Sequence, residues 1–554
     1  MKEKLEILLL QAVLKAYPNS ISSLQEEVPA DSKHGDFASN VAMVLTKALK
    51  KNPREIAQTI KDNIDLSDGM IGSVVIEGPG FLNFKLTQGF WIRALKIIDE
   101  QKKMFGVCQA YKGKKAMVEF VSANPTGPLH IGHGRNAVVG DTIARLLSAV
   151  GYEVTREYYV NDGGIQISTL GRSVYARYLQ KQGVEVPFPE DGYQGDYIAD
   201  IAAELLPRSA EFERMPRDQI IETFGRYAGD KILGEILEDL RRVGVQFDSI
   251  FQESSLYKQD KVRQTIDELK AKNLVYEQEG ALWLRSTSFG DDKDRVLIKS
   301  DGSYTYLSPD IAYHRDKFKR GFDLLVNVWG ADHAGYGPRL KAALLGLGYP
   351  ADHLHLVFIQ MVSLIREGET VSMSTRRATY ETLEDVVKAV GKDVARYFFM
   401  MRSYQAQLEF DMELAKKETS ENPVYYIQYA HARICSIFEK ALEEQKIAVP
   451  AYKDEWSALL GLPEETEMAQ LLLEYPESIL KAASEITPHR VAHYALELAR
   501  AFQSYYDKAR SDDRYRVVGH DKKTTQAKLF FLSCVRQVLQ NAMHVLGIEA
   551  PEKM

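Results

Sequence analysis

The chain has 554 residues, 45% hydrophobic and 27% charged, with a formal net charge of −7 and three cysteines. A chain of this length is predicted to form about three or four domains, and its mild acidity excludes nucleic-acid binding through a global basic field. No stretch approaches the roughly 20 apolar residues of a membrane helix, and the charged start lacks a signal-peptide cleavage pattern, so we expect a cytoplasmic protein without a membrane partner. The cysteines form no pair with the spacing of metal ligands, so we expect no tightly bound metal.

Residues 1–110 are predicted to form a separate α+β domain. A helix is expected at 3–17 and an apolar helix at Val41–Leu49. Two segments whose residues alternate between apolar and polar flank a turn at 78–80 and are predicted to be strands. This domain is either a structural appendage or a second module that contacts RNA.

Residues 111–389 are predicted to form a doubly wound, parallel-sheet (Rossmann-type) core, because strand, helix and strand follow one another twice. Ligands of such folds bind at the carboxyl ends of the strands. The two units comprise a strand at 116–121, a helix ending near Gly151 and a strand at 153–160, and then a strand at 323–329, a helix at 334–347 and a strand at 354–361.

Two further regions complete the predicted organisation. Residues from about 170 to 290 carry long amphipathic helices and short strands, which indicates an insertion between the two halves of the core. Residues 390–554 keep an i, i+3, i+4 apolar spacing and are predicted to form an all-α bundle.

The segment that opens the first predicted helix has the composition of an anion site. It is the stretch 128–134, which contains Pro128, His130, Gly132 and His133. Free N–H groups and the helix dipole attract a phosphate there, and the imidazoles add donors for a transition state. The alternative is a pair of ordinary cap and core histidines. The His130-Ile131-Gly132-His133 sequence resembles the signature of class I aminoacyl-tRNA synthetases.

A second candidate site follows the strand at 323–329. Gly330 would let an adenine or a ribose lie on the backbone, and Asp332 and His333 are expected at the same sheet edge as His130. Asp332 would accept hydrogen bonds from the ribose or an amino group. The alternative role for Asp332 is a helix cap.

A third candidate is the loop that contains Ser372, Met373, Ser374, Arg376 and Arg377. Its adjacent cations suit the charge that develops on a leaving pyrophosphate. The loop resembles the KMSK loop of class I synthetases. Ser372 stands where the first lysine is expected, and Arg376 would replace the second.

Taken together, these motifs resemble the arginyl-tRNA synthetase family over nearly the whole chain. The resemblance extends to the Asp393-to-Arg396 run, which stands where the family has Asp-Ala-Leu-Arg. The other matching segments are 34–38, 119–133, 159–166, 306–314, 329–336 and 422–433.

The resemblance implies a ligase that activates L-arginine with ATP as arginyl-adenylate and transfers it to tRNA(Arg). Magnesium would arrive with ATP, held largely by its phosphates. An arginine guanidinium is best met by carboxylates in bidentate geometry. By the family pattern the amino-acid pocket comprises Glu119, Asn124, Tyr306 and Asp310. The alternatives are a strand-edge salt bridge for Glu119 and a helix cap for Asp310.

The resemblance also implies that the helical region reads the tRNA and that residues 1–110 touch its elbow. Aromatic stacking and cations are the usual means of such contact. We expect a monomer whose tRNA-binding residues include Tyr425, Tyr426, Tyr429 and Arg433.

Ser372 leaves the phosphates in need of another cation. Family members that lack the lysine are thought to use one just upstream of the first strand, where Lys112, Lys114 and Lys115 stand. We select Lys115; the alternatives are a solvated basic turn there, with Arg376 or Arg377 as the cation.

Two other functions compete with this interpretation. One is a cofactor-building adenylyltransferase. It would share the stretch 128–134, here called the HIGH-type turn after His130-Ile131-Gly132-His133, but has no need of the long helical region. The other is a non-enzymatic RNA-binding relative with a decayed site: the presence of His130, Gly132, His133 and His333 argues against it, and Ser372 argues weakly for it.

Overall fold

The computed structural model describes residues 2–18, 26–27, 35–371 and 381–554. By their internal contacts the residues fall into two compact units. One comprises Met1–Phe105, Arg433–Glu474 and Arg500–Val538, and the other comprises Gly106–Ala432, Tyr475–Ala499 and Leu539–Met554. The helices that follow residue 390 therefore contribute to both units, whereas the sequence pattern had suggested a separate bundle.

The N-terminal part is an α+β arrangement with an antiparallel sheet in the order β1-β2-β4-β3. Helix α3 begins where Asn52 accepts a hydrogen bond from the N–H of Arg54 and Pro53 occupies the first helical position. The elements are α1 (Lys2–Ala16), β1 (Glu26–Glu27), β2 (Phe37–Ser39), α2 (Val41–Leu49), α3 (Pro53–Lys61), β3 (Ile71–Glu77), β4 (Phe81–Leu86), α4 (Gln88–Ala94) and α5 (Lys96–Gln101).

The second unit is built on a five-stranded, wholly parallel sheet in the order β12-β11-β5-β6-β7. The elements are β5 (Lys115–Glu119), α6 (Ile131–Ala149), β6 (Glu153–Val160), α7 (Gly164–Lys181), α8 (Asp196–Leu205), α9 (Ser209–Phe212), α10 (Arg217–Arg242), β7 (Ser249–Gln252), α11 (Ser254–Lys258), α12 (Lys261–Ala271), β8 (Val275–Gln278), β9 (Ala281–Leu284), β10 (Arg295–Ile298), α13 (Leu307–Lys319), β11 (Leu324–Gly330), α14 (Gly337–Leu347) and β12 (Leu354–Ile359).

The remaining elements include a small sheet in the order β14-β13-β15. They are β13 (Val362–Arg366), β14 (Glu369–Thr370), α15 (Leu383–Val390), α16 (Lys392–Met400), β15 (Leu408–Asp411), α17 (Met412–Ala415), α18 (Pro423–Gln445), α19 (Pro463–Ser484), α20 (His489–Lys508) and α21 (Lys522–Leu546). Among the described residues, no helix is long and apolar enough to cross a membrane.

The segment predicted as an insertion rejoins the parallel sheet before it ends. Strand β7 pairs with β6, with Glu157 opposite Ser249, and Leu282 and Leu284 of β9 share a buried core with Met117 of β5. Short strands leave no sequence signal of the sheet they will join, which is why the pattern did not show this.

Strand β5 ends at Glu119, two residues before the predicted end at Val121. Val121 and Ser122 take up left-handed backbone conformations, with φ of 64° and 43°. Such conformations are costly for side chains with a Cβ and are typical of functional turns.

Candidate active site

The parallel sheet brings most of the predicted site residues to one edge. Because all five strands run in the same direction, the residues after β5, β6, β7, β11 and β12 emerge together. The HIGH-type turn follows β5, Gly330 ends β11, and Glu253 directly follows β7.

His130 and His133 cap one another at the start of α6. Nδ1 of His130 accepts the N–H groups of Gly132 at 3.1 Å and His133 at 3.4 Å, while Nδ1 of His133 accepts the N–H of His130 at 3.3 Å. Burial lowers the pKa of both rings, that of His133 to about 3. Both rings are therefore neutral at pH 7 with the proton on Nε2, so each has one N–H to donate away from the turn.

The turn leaves no room for a side chain at Gly132. A Cβ there would lie 2.9 Å from Cε1 of His130, whose ring stacks on that of His133 with centroids 3.7 Å apart. A larger residue would displace the ring that caps the helix.

Asn136 joins the two halves of the core beneath this turn. Its Oδ1 accepts the N–H of Val121 at 2.7 Å, and its Nδ2 donates to the carbonyl of Val328 at 3.0 Å. The loop after β5, helix α6 and strand β11 are thus fixed relative to one another.

A cavity of about 690 Å³ opens beside the two histidines. Pro128 and Asn124 line it together with His130 and His133, so four predicted site residues share one space. The opposite wall comes from α7 and from 190–197, and Tyr197 donates a 2.7 Å hydrogen bond to the carbonyl of Thr126.

Gly330, Asp332 and His333 lie at the same sheet edge but outside that cavity. A Cβ on Gly330 would lie 2.4 Å from Oδ1 of Asp332, so the glycine allows this close approach. The side chains of Asp332 and His333 are 79% and 61% exposed, and the closest oxygen and nitrogen are 3.5 Å apart. Both are accessible to a ligand.

Asp310 is the centre of a cluster of acidic groups at this edge. Tyr336 donates a 2.5 Å hydrogen bond to its Oδ2. Burial raises the pKa of Asp310 to about 7, against the lowering effect of Tyr336; Glu119 and Glu253 add to the rise. Within the part of the chain that the structure describes, Asp310 forms no ion pair. Such a carboxyl group would gain from the arrival of a cation.

Glu119 differs from Asp310 because it already has an internal cation. Its Oε2 accepts a hydrogen bond from Nζ of Lys317 at 2.5 Å, and its Oε1 accepts one from Ser122 at 3.2 Å. Lys317 is fully buried and also donates to Asn327. Glu119 therefore contributes negative potential to the cluster with its carboxylate held in one orientation.

Sequence reasoning missed Glu253, Tyr336 and Lys317. Burial raises the pKa of Glu253, to which Tyr159 and Tyr257 donate hydrogen bonds. Glu253 had been assigned to an insertion, and the only signal that could have found it is its position directly after a strand of the sheet.

Tyr306 precedes α13, one helical turn before Asp310, and is 80% exposed. Its carbonyl accepts the N–H of Asp310 at 3.4 Å. The structure thus places the backbone of Tyr306 beside Asp310 but leaves its ring facing solvent.

Lys115 is not at this edge. It is the first residue of β5, whose five residues span about 13 Å, and its N–H donates to Asp323. A residue just upstream of a strand lies at the amino edge of the sheet, so the choice of Lys115 as the phosphate cation is not supported. Met373, Ser374 and Arg376 lie outside the described residues.

The predicted tRNA-binding side chains lie on α18. Tyr425 and Tyr429 stack with ring centroids 5.9 Å apart. The guanidinium of Arg433 lies 4.5 Å from the centroid of the Tyr506 ring and donates to Gln503. Tyr425, Tyr426, Tyr429 and Arg433 are all half-buried.

Three family models match the chain in sequence. They are the arginyl-tRNA synthetase N-terminal domain over residues 3–86, the class I (R) tRNA synthetase catalytic domain over 95–396 and the DALR anticodon-binding domain over 427–554.

Full-length relatives give the same result. An arginine–tRNA ligase of Syntrophotalea carbinolica is 48% identical over 97% of this chain and 96% of its own, and one of Geobacter sp. strain M21 is 46% identical over all of both chains. The solved arginyl-tRNA synthetase of Thermus thermophilus aligns over all of both chains with 25% identity and a TM-score of 0.74.

Proposed function

The chain belongs to the arginyl-tRNA synthetase family and charges tRNA(Arg) with arginine in an ATP-dependent reaction, and we propose which of its residues carry the chemistry. The arginine carboxylate attacks the α-phosphate of ATP, forming arginyl-adenylate and releasing pyrophosphate. A ribose hydroxyl at the end of the tRNA then takes the arginyl group and AMP leaves.

The observation that carries the proposal is the half-buried carboxyl group of Asp310, which forms no ion pair among the described residues and lies at the edge that also holds the HIGH-type turn. A guanidinium remains charged at every physiological pH and presents a planar set of donors. Asp310 would receive it, Glu119 and Glu253 would add negative potential, and Asn124 and Tyr306 would complete the pocket. A neutral analogue would leave Asp310 unpaired.

For ATP, we assign the phosphates to the turn formed by Pro128, His130, Gly132 and His133. Two neutral Nε2–H donors and the N-terminus of α6 suit the negative charge that develops during attack. The adenosine would lie against Gly330, Asp332 and His333. Met373, Ser374 and Arg376 would act on the phosphates from the loop that follows.

Magnesium is proposed as part of the ATP substrate complex. The described residues offer no group of three or more His, Cys, Asp or Glu side chains that could hold a metal ion. Its ligands would therefore be mainly phosphate oxygens and water.

For the tRNA, we propose that Tyr425, Tyr426, Tyr429 and Arg433 bind it, with residues 1–110 as a second contact and 390–554 as the anticodon-binding region. The stacked pair Tyr425–Tyr429 supports this, because parallel rings on one helix face suit stacking on bases. We also propose that the protein is a monomer, which size-exclusion chromatography tests. We propose a cytoplasmic location because protein synthesis takes place there, and cell fractionation tests it.

The test of the pocket compares arginine with citrulline, its neutral analogue of nearly the same shape. ATP–pyrophosphate exchange should proceed with arginine and not with citrulline. In Asp310→Asn the exchange with arginine should fall at least 100-fold while the residual activity with citrulline stays the same or rises. A variant that still selects arginine as strongly as the native protein would contradict the assignment.

A further inference from the structure

Arg135, in the first turns of α6, has a buried guanidinium whose hydrogen bonds to the described residues all go to backbone carbonyls. Its Nη1 donates to Gln360 at 2.9 Å and to Ala406 at 2.8 Å, and its Nη2 donates to Ser403 at 2.8 Å. The residue is 0% exposed. One side chain thus joins the helix of the HIGH-type turn to two distant segments of chain.

The guanidinium of Arg135 is held by neutral backbone acceptors. In the part of the chain that the structure describes, Arg135 forms no ion pair, and its buried Nε has no hydrogen-bond partner. Burial lowers its pKa to about 10, so the side chain is still charged at neutral pH. A buried cation without a carboxylate is costly, and here the three carbonyl contacts offset that cost.

The two segments that Arg135 holds lead into β13 and β15, which pair in one small sheet. Gln360 directly precedes β13, and the chain continues from there through β14 to residue 371. The segment 403–406 leads into β15, which pairs with β13, with Val362 opposite Leu408. The three carbonyl contacts therefore help to fix β13 relative to α6.

The chain is also fixed directly after residues 372–380. Thr382 forms a β-bridge with His130, and the N–H of Leu383 donates to the carbonyl of Leu129 at 2.8 Å. A Cβ on Gly134 would lie 2.5 Å from the side chain of Leu383, so the approach is close. Thr382, which follows residues 372–380, is thus attached directly to the HIGH-type turn, and Val371, which precedes them, donates its N–H to the carbonyl of Leu364 of β13.

We propose that Arg135 is a positioning residue for adenylate formation: by holding Gln360, Ser403 and Ala406 it aligns the base of the 372–380 loop with His130 and His133. The inference rests on the proposed function, in which both motifs act on the same phosphates. Arginine binding should be little affected, because the three contacts of Arg135 do not involve Glu119, Glu253 or Asp310.

The test measures kcat and KM in pyrophosphate exchange for Arg135→Lys and Arg135→Met. A lysine keeps the charge but gathers its donors on one atom, and it cannot reach three carbonyls as the planar fork does. We expect kcat to fall about 5-fold for lysine and at least 10-fold for methionine, with the arginine KM within 2-fold. Arg145→Met is the matched control, since Arg145 also lies on α6 and binds Asp141 and the carbonyl of His544; its kcat should stay within 2-fold.

A double-mutant cycle separates positioning from general destabilisation. If Arg135 acts through the loop, Arg135→Lys should lower kcat much less in an Arg376→Ala background, whereas equal losses in both backgrounds overturn the inference. A kcat of Arg135→Lys within 2-fold of native also overturns it, and this holds even if Arg135→Met does not fold. Should Arg376→Ala alone be harmless, the proposed role of that cation fails, and the kcat of Arg135→Lys decides the inference by itself.

Discussion

Tyr336 donates its phenolic hydrogen to Oδ2 of Asp310 across 2.5 Å, from a turn that lies 26 residues further along the chain. This bond favours the ionised carboxylate, while burial and the neighbouring Glu119 and Glu253 oppose ionisation. The balance leaves the pKa of Asp310 at about 7, so the group is poised to lose its proton when a cation arrives.

Arginine binding should therefore weaken as the pH falls below about 7. A guanidinium prefers the ionised form of Asp310, and below the raised pKa most molecules must first release a proton. The arginine KM, measured by pyrophosphate exchange between pH 6 and 8.5, should rise as the pH drops, by up to about tenfold per unit at the acidic end. In Tyr336→Phe the inflection should move to higher pH, because the bond that favours ionisation is lost. A KM that is constant across this range would contradict the assignment of Asp310.

Asp310→Asn and Glu119→Gln should have opposite effects on stability. The raised pKa of Asp310 means that the folded chain binds more protons than the unfolded chain, so this group's contribution to stability decreases as the pH rises towards 7. Asp310→Asn should thus raise the melting temperature at pH 8 and change it little at pH 4. Glu119→Gln strands the buried Lys317 and should cost about 3–5 kcal/mol. Thermal unfolding of both variants and the native protein at pH 4 and pH 8 measures these changes. A melting temperature of Asp310→Asn below that of the native protein at pH 8 would contradict the raised pKa of Asp310.

His130→Asn should separate the cap from the chemistry. Asparagine is among the best N-cap residues, so the start of α6 should persist, but the Nε2–H donor is lost. The rate of adenylate formation should fall about 10²–10³-fold, as for one oxyanion-type donor, with little change in melting temperature. His130→Ala should lose both the helix cap and the Nε2–H donor, and its free energy of unfolding should fall by about 1 kcal/mol. Native exchange rates in His130→Asn would remove this histidine from the phosphate site.

Tyr429→Ala should weaken tRNA binding without affecting the small substrates. Loss of one stacked aromatic ring typically costs about 1–3 kcal/mol per base, and Tyr429 stacks on Tyr425 along α18. The tRNA KM in aminoacylation should rise about 5- to 150-fold, while the arginine and ATP KM values stay within 2-fold. An unchanged tRNA KM would place the RNA-binding surface elsewhere.

Lys115→Ala and Arg376→Ala decide which cation serves the phosphates. Lys115 lies at the amino edge of the sheet, so its loss should leave adenylate formation within 2-fold of native. Arg376→Ala should slow it at least 10-fold. If Lys115→Ala slowed adenylate formation and Arg376→Ala did not, Lys115 would be the phosphate cation despite its position at the amino edge of the sheet.

The sequence by itself determined the family, the parallel core and the HIGH-type turn. These features depend on residues that are close in the chain: two strand–helix–strand units, and a cap in which His130 and His133 lie three residues apart. Local spacing specifies such structures because the helix and the turn form from neighbouring backbone groups.

Only the tertiary structure decided how distant residues meet. Glu119, Glu253, Asp310 and Tyr336 come from four different elements, and the raised pKa of Asp310 depends on their convergence, since burial and through-space charge are properties of the packed state. The return of β7 to the sheet and the placement of Lys115 at the opposite edge follow from strand pairing and direction. The pairing of β7 leaves no signature in local sequence, because hydrogen bonds between strands are made by backbone groups that every residue type shares. The position of Lys115, in contrast, was already implied by the predicted strand at 116–121.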